Sequence, residues 1–183
     1  LNIIGLDLSL TSTGLAEVHD WSLANVHRLK TKGHRGMTVA ETSARIAWLV
    51  DEIDAWVDGD DVDLAVIEAP SFGSKFGNPH ERGGLWWSVA QRLVGREIPV
   101  ATVSPQGRAK YATGKGNSKK DVVEAAVRSA YTDVAWPTGK CDDIADAVIL
   151  AAMGARHLGE PIDPWVDSLP AQLAAMDGAS WPS

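Results

Sequence analysis

Residues 3–8, Ile-Ile-Gly-Leu-Asp-Leu, form an apolar run too short for a helix and interrupted by one carboxylate, Asp7. Such a run suits a strand covered on both faces, where an unpaired charge costs several kcal/mol, a rough magnitude, unless a partner is supplied. A second run, Leu64-Ala-Val-Ile-Glu68, ends on an acid directly before Ala69-Pro70. Two acids at the tips of central strands point to one shared site.

The rest of the chain surrounds these strands with helices. Residues 14–18 and 25–31 read as two more strands of a meander. From Val39 to Val57 the apolar residues Ile46, Leu49, Val50, Ile53, Trp56 and Val57 recur at helical spacing, and an Asp-Gly-Asp-Asp loop follows. Residues 62–67 form a buried strand, and residues 69–84 are a Gly-, Pro- and Ser-rich loop. A helix over 85–96 and a strand over 98–103 come next. Ser118, with Asp121 three residues on, predicts a capped helix whose buried face is Val122, Val123, Ala126, Val127 and Ala130. The last main helix covers 142–157. The order βββαβαβαα predicts an α/β fold in which a three-stranded meander and two further strands make a mixed sheet flanked by helices. The expected division is a domain over 1–157 and an acidic, proline-containing tail over 158–183, with one helical turn near 170–176 and with Trp165 and Trp181 available to dock it.

Composition narrows the function. One cysteine, Cys141, excludes an internal disulfide and a thiolate zinc cage. No apolar run approaches the ~20 residues that span a bilayer, and residues 1–7 lack the basic start and cleavage site of a secretory signal, so a soluble cytoplasmic protein is expected. The net charge of −7 argues against nucleic acid, but its distribution does not. The tail holds four acids and no Lys or Arg, leaving residues 1–157 with 17 basic and 20 acidic residues, a net charge of −3. Residues 104–120 carry Arg108, Lys110, Lys115, Lys119 and Lys120 with no acid, a positive segment suited to phosphate.

Asp143 and Asp146 lie at i and i+3 of the last helix, on one face, and Asp146 is flanked by Ile144, Ala145, Ala147 and Val148. Asp142 and Asp143 also suit a helix start, where acids complement the dipole; Asp146 lies too far in for that role. If Asp7, Glu68, Asp143 and Asp146 converge, their repulsion requires a cation, and oxygen-only ligands favour Mg²⁺ or Mn²⁺. Two such ions ~4 Å apart would clamp the attacking and leaving oxygens of a phosphodiester. Lys119 and Lys120 fall where the helix dipole disfavours cations by ~0.3–1 kcal/mol, which suits a phosphate site better than stability. The stretch Gly114-Lys-Gly-Asn-Ser-Lys119 lacks the spacing of an NTP-binding phosphate loop, so no nucleotide cofactor is expected.

These motifs, GLDLSLTSTG, DLAVIEAPSF, GKGNSKKDVVEAAV and DDIADAVILAA, stand 61 residues apart from Asp7 to Glu68 and 75 from Glu68 to Asp143. In this order, over residues 1–157, the chain resembles the RuvC-like Holliday junction resolvases of the ribonuclease H-like superfamily. The resemblance implies a homodimer that cleaves four-way DNA junctions with two metal ions held by Asp7, Glu68, Asp143 and Asp146, and with Lys119 or Lys120 neutralising charge at the phosphate. It also implies that Phe72 contacts bases beside the cations Arg108, Lys110, Lys115, Lys119 and Lys120. The helix carrying Trp86 and Trp87 would help form the dimer. The sequence departs from the family in having Leu8-Ser9 where Pro-Gly is usual. Other readings are a nuclease of this fold acting on flaps, RNA or RNA/DNA hybrids, a non-catalytic junction-binding module, and an actin-like ATP-binding fold, which requires two such domains.

Overall fold

The structure, a computed structural model, describes residues 1–57, 62–70, 78–164 and 170–182. Strands β1 (Asn2–Asp7), β2 (Ser12–His19), β3 (Ser22–Lys30), β4 (Leu64–Glu68) and β5 (Val100–Val103) form one sheet in the order β3-β2-β1-β4-β5. β1 runs antiparallel to β2 and β2 to β3, whereas β4 is parallel to both β1 and β5. The mixed five-stranded sheet flanked by helices is the arrangement expected from the sequence.

Two helices, α1 (Val39–Trp56) and α2 (Pro79–Gly95), cover one face of the sheet. Thr38 and Glu41 close a reciprocal capping box on α1, and Leu49, Val50 and Ile53 bury its inner stripe. Ile4, Leu6, Leu15, Leu29, Ala65 and Ile67 meet these helices from the sheet. The other face carries α3 (Pro105–Thr113), α4 (Lys120–Ala130) and α5 (Asp142–His157). Ile3, Ala16, Val18, Leu64, Val66, Ala101 and Val103 point that way. Nearly all of α5 is buried, as a helix must be when it lies between a sheet and other helices.

Two glycines set how close α5 comes. A Cβ on Gly5 would overlap the Ala147 carbonyl oxygen, and one on Gly14 the Asp143 carbonyl oxygen. The helix backbone therefore rests directly on β1 and β2, which carries its N-terminal acids to the strand ends.

Several sequence expectations change; Val122, expected on the buried face of the helix after Ser118, is 49% exposed. Helix α2 begins at Pro79, six residues before the expected start at Leu85, because Pro79 provides a favourable first helical residue that the flanking glycines obscure. Helix α3 was not anticipated: its sequence, PQGRAKYAT, lacks an apolar stripe, and its start is fixed by Ser104, whose side chain accepts from Gly107 N. Ser118 does not cap α4; Lys119 holds that position without a side-chain bond, and the Ser118 hydroxyl pairs with Thr113 Oγ1 at 2.8 Å. In the tail, a short helix α6 (Pro170–Leu173) and a 3₁₀ turn (Met176–Gly178) precede a bridge in which Thr102 and Ser180 exchange two backbone hydrogen bonds of 2.9 Å. Trp181 stacks on His157 with ring centroids 4.2 Å apart, while Trp165 lies outside the described residues.

Candidate active site

Strand alternation explains why the acids meet. On β1, Asp7 shares the face of Ile3 and Gly5; on β4, Glu68 shares that of Leu64 and Val66. Both carboxylates therefore emerge at the strand ends on the side where α5 begins. Oxygens of Asp7, Glu68 and Asp146 all lie within 4.8 Å of one another. Asp143 is also buried, but it is engaged separately: its Oδ2 accepts from Ser12 Oγ at 2.5 Å and its Oδ1 is ion-paired with Arg28 Nη2.

Burial first, then the Glu68 charge, pushes the Asp7 carboxyl up to about 7; Arg108 and Lys120 oppose this and Asp143 adds to it. The acid charge at this point exceeds what the nearby cations neutralise. Arg108, expected among exposed DNA-contacting cations, is instead buried. It donates from Nε to Glu68 Oε2 at 2.5 Å and from Nη1 meets Asp146 Oδ1. The reason is α3, which carries Arg108 inward beside β5.

Asp7, Glu68 and Asp143 open onto a cleft of about 660 Å³, lined also by Arg28, Lys120 and Lys140, with Asp146 buried behind them. Lys120 Nζ sits 3.0 Å from Asp142 Oδ2, and Lys140 Nζ 3.5 Å from the same oxygen. Burial works against ionisation of Asp142, but Lys120, then Lys140, hold it below the usual carboxylate range. Of the two candidate lysines, Lys120 lines the cleft, while Lys119 stands exposed at the α4 N-cap. Lys115 is exposed and Lys110 half-buried on the same side of the sequence, outside the cleft lining. Phe72 lies outside the described residues. Trp86 donates from Nε1 to Glu68 O at 3.0 Å, bracing the strand that carries the acid, and Trp87 is 63% exposed.

Sequence reasoning passed over Arg28 and Lys140. Arg28 sits opposite Gly14 on β3, and no apolar alternation in SLANVHRLK marked its inward face. The acids fit a hard divalent cation: all donors are carboxylate oxygens, three are within mutual reach, and the Asp7 carboxylate is driven toward protonation without a cation. Asp7, Glu68 and Asp146 would hold such an ion.

No protein-family model and no curated protein matches the sequence. The fold superposes on Thermus thermophilus RuvC with a TM-score of 0.68 at 16% identity, covering 89% of this chain and 99% of that one. The same protein in complex with a Holliday junction substrate gives 0.66 at 15% identity, with the same coverages. A Fowlpox virus resolvase in complex with its substrate Holliday junction DNA gives 0.56 at 14% identity, covering 86% and 99%. The fold is the ribonuclease H-like fold of these RuvC-type proteins.

Proposed function

We propose that this chain is a metal-dependent, structure-selective endonuclease that cleaves four-way DNA junctions. The observation that carries the reading is the meeting of Asp7, Glu68 and Asp146 from three separate elements, with Asp7 and Glu68 lining a cleft rimmed by lysines and arginines and Asp146 buried beside them. Carboxylates buried at such cost need a cation, and cations on the rim need an anion; a phosphodiester bound over divalent metal satisfies both. The fold shared with two proteins solved on Holliday junction DNA supports the choice of substrate.

Asp7, Glu68, Asp146 and Asp143 are the proposed metal ligands, with Mg²⁺ or Mn²⁺ as the ions. Bound there, the metal would supply Lewis-acid activation of water and of the leaving 3′ oxygen. The chain's own residues do the rest. Lys120 faces the cleft from the first turn of α4, where its charge and the free N–H groups of the helix start favour a phosphate. Lys110, Lys115 and Lys119 extend that positive side toward neighbouring phosphates, which position the strand without reading its sequence. A homodimer presenting two such clefts would nick two opposed strands of a two-fold junction.

The test is a substrate panel: labelled four-way junction, flap, linear duplex and RNA/DNA hybrid, each in Mg²⁺, Mn²⁺ and EDTA. Paired nicks confined to the junction are expected. Preferential cutting of another substrate would move the activity to that nucleic acid, and binding without cutting in every condition would make the chain a junction-binding module.

A further inference from the structure

Two arginines enter the acidic site from different sides, and they divide it into two parts of unequal charge. Asp7, Glu68 and Asp146 form one group, and Arg108 is ion-paired to two of them, Glu68 and Asp146. Three carboxylates and one guanidinium leave two negative charges, the complement of one divalent ion. Asp143 forms the other part. Its side chain is 9% exposed, and Arg28, 14% exposed, meets it directly while donating to the Lys140 carbonyl at 2.9 Å. This part is already neutral. A divalent ion placed beside Asp143 would stand next to the Arg28 charge with a single carboxylate to offset both, in a half-buried setting where screening is weak.

Arg28 belongs to β3, an edge strand, and lines the cleft, so its side chain has an open direction to turn into. Ser12 remains on Asp143 at 2.5 Å and holds that carboxylate in place when the arginine leaves. Resting on the metal-nuclease reading above, we infer that Arg28 stands in for a second cation at Asp143. The DNA-free protein then takes one divalent ion, in the Asp7–Glu68–Asp146 group, and Asp143 accepts another only after Arg28 has turned to a phosphate of the bound nucleic acid. Arg28 thereby couples completion of the metal centre to the presence of substrate.

The experiment counts bound Mn²⁺ by the loss of the free-ion electron paramagnetic resonance signal, without DNA. The wild-type protein should bind one ion and Arg28→Met two. Two ions on the wild type, or one on Arg28→Met, would overturn the inference while leaving the metal-dependent reading intact; no ion on the wild type would overturn both. Should Arg28→Met not fold, Asp143→Asn decides: it should hold the single ion within about threefold of wild-type affinity, against a loss of about tenfold or more in Asp7→Asn. Loss of that ion in Asp143→Asn would contradict the division. The phosphate role has its own readout, since Arg28→Met should lower the salt slope of junction binding by about one counterion. An unchanged slope would refute that role.

Discussion

The Arg108 guanidinium donates through Nε to Glu68 Oε2 at 2.5 Å, and its other arm meets Asp146, so one buried cation ties the end of β4 to the second turn of α5. The pair sits within reach of Asp7, whose charge Arg108 offsets more than Lys120 does. Arg108 acts as an internal counterion, and its removal exposes the repulsion among the acids.

Arg108→Met should therefore destabilise the metal-free protein by roughly 3–5 kcal/mol, the usual effect of breaking a buried ion pair from one side. Divalent metal should recover a large part of that loss, because a cation then takes over the charge. Urea denaturation in EDTA and in Mn²⁺ compares the two; equal losses in both would contradict the counterion role.

The titration of Asp7 gives a pH dependence of known sign. Its folded-state value of about 7 lies above the ordinary 3.8, so between these two the folded chain holds a proton that the unfolded chain has released. Stability of the metal-free protein should fall as pH rises from about 4 to about 7 through this group. Metal replaces the proton, so the gain in melting temperature on adding Mg²⁺ or Mn²⁺ should be larger at pH 8 than at pH 5. A gain that shrinks with rising pH would contradict the assignment.

The tail is anchored by a second polar cluster. Asp163 accepts from Tyr111 Oη at 2.5 Å, Tyr131 Oη at 2.9 Å and Arg156 Nη2 at 2.7 Å, with its carboxylate fully buried. Burial and the Asp163 charge push both phenols well above their usual range, which keeps them as donors. Asp163→Ala should cost about 3–5 kcal/mol by leaving Arg156 and two hydroxyls without their acceptor, and Tyr131→Phe about 1 kcal/mol. Chemical denaturation measures both, and a larger effect in Tyr131→Phe would contradict this ranking.

The two kinds of glycine should respond oppositely. Gly14→Ala forces α5 away from β2 and should cost about 1–3 kcal/mol or more, displacing Asp143 with it. Gly83 lies in α2 with open space where a Cβ would go, and Gly83→Ala should stabilise by about 0.4–1 kcal/mol. Thermal unfolding of both variants tests the close approach of helix to sheet.

The acids were legible in the sequence because a carboxylate inside or ending an apolar run is conspicuous, and because period-two alternation fixes the face on which it emerges. The mixed sheet and its flanking helices followed from the same runs. The cations were less legible. Arg108 lies on a short helix whose start depends on a serine cap and a proline, without an apolar stripe, so its inward direction depends on packing. Arg28 lies on an edge strand of mixed composition, where one inward position looks like any surface residue. The lysine pair was visible, but the choice of Lys120 over Lys119 depends on which residue begins helix α4.

Asp7 gives the most direct test of whether the acids brought together by β1, β4 and α5 cut DNA junctions. Incubating a labelled four-way junction with wild type and Asp7→Asn in Mn²⁺ should give paired, symmetric nicks with the first and none with the second, while both bind the junction. Normal cleavage by Asp7→Asn, or no cleavage by a folded, junction-bound wild type in any divalent metal, would contradict that role of the acids.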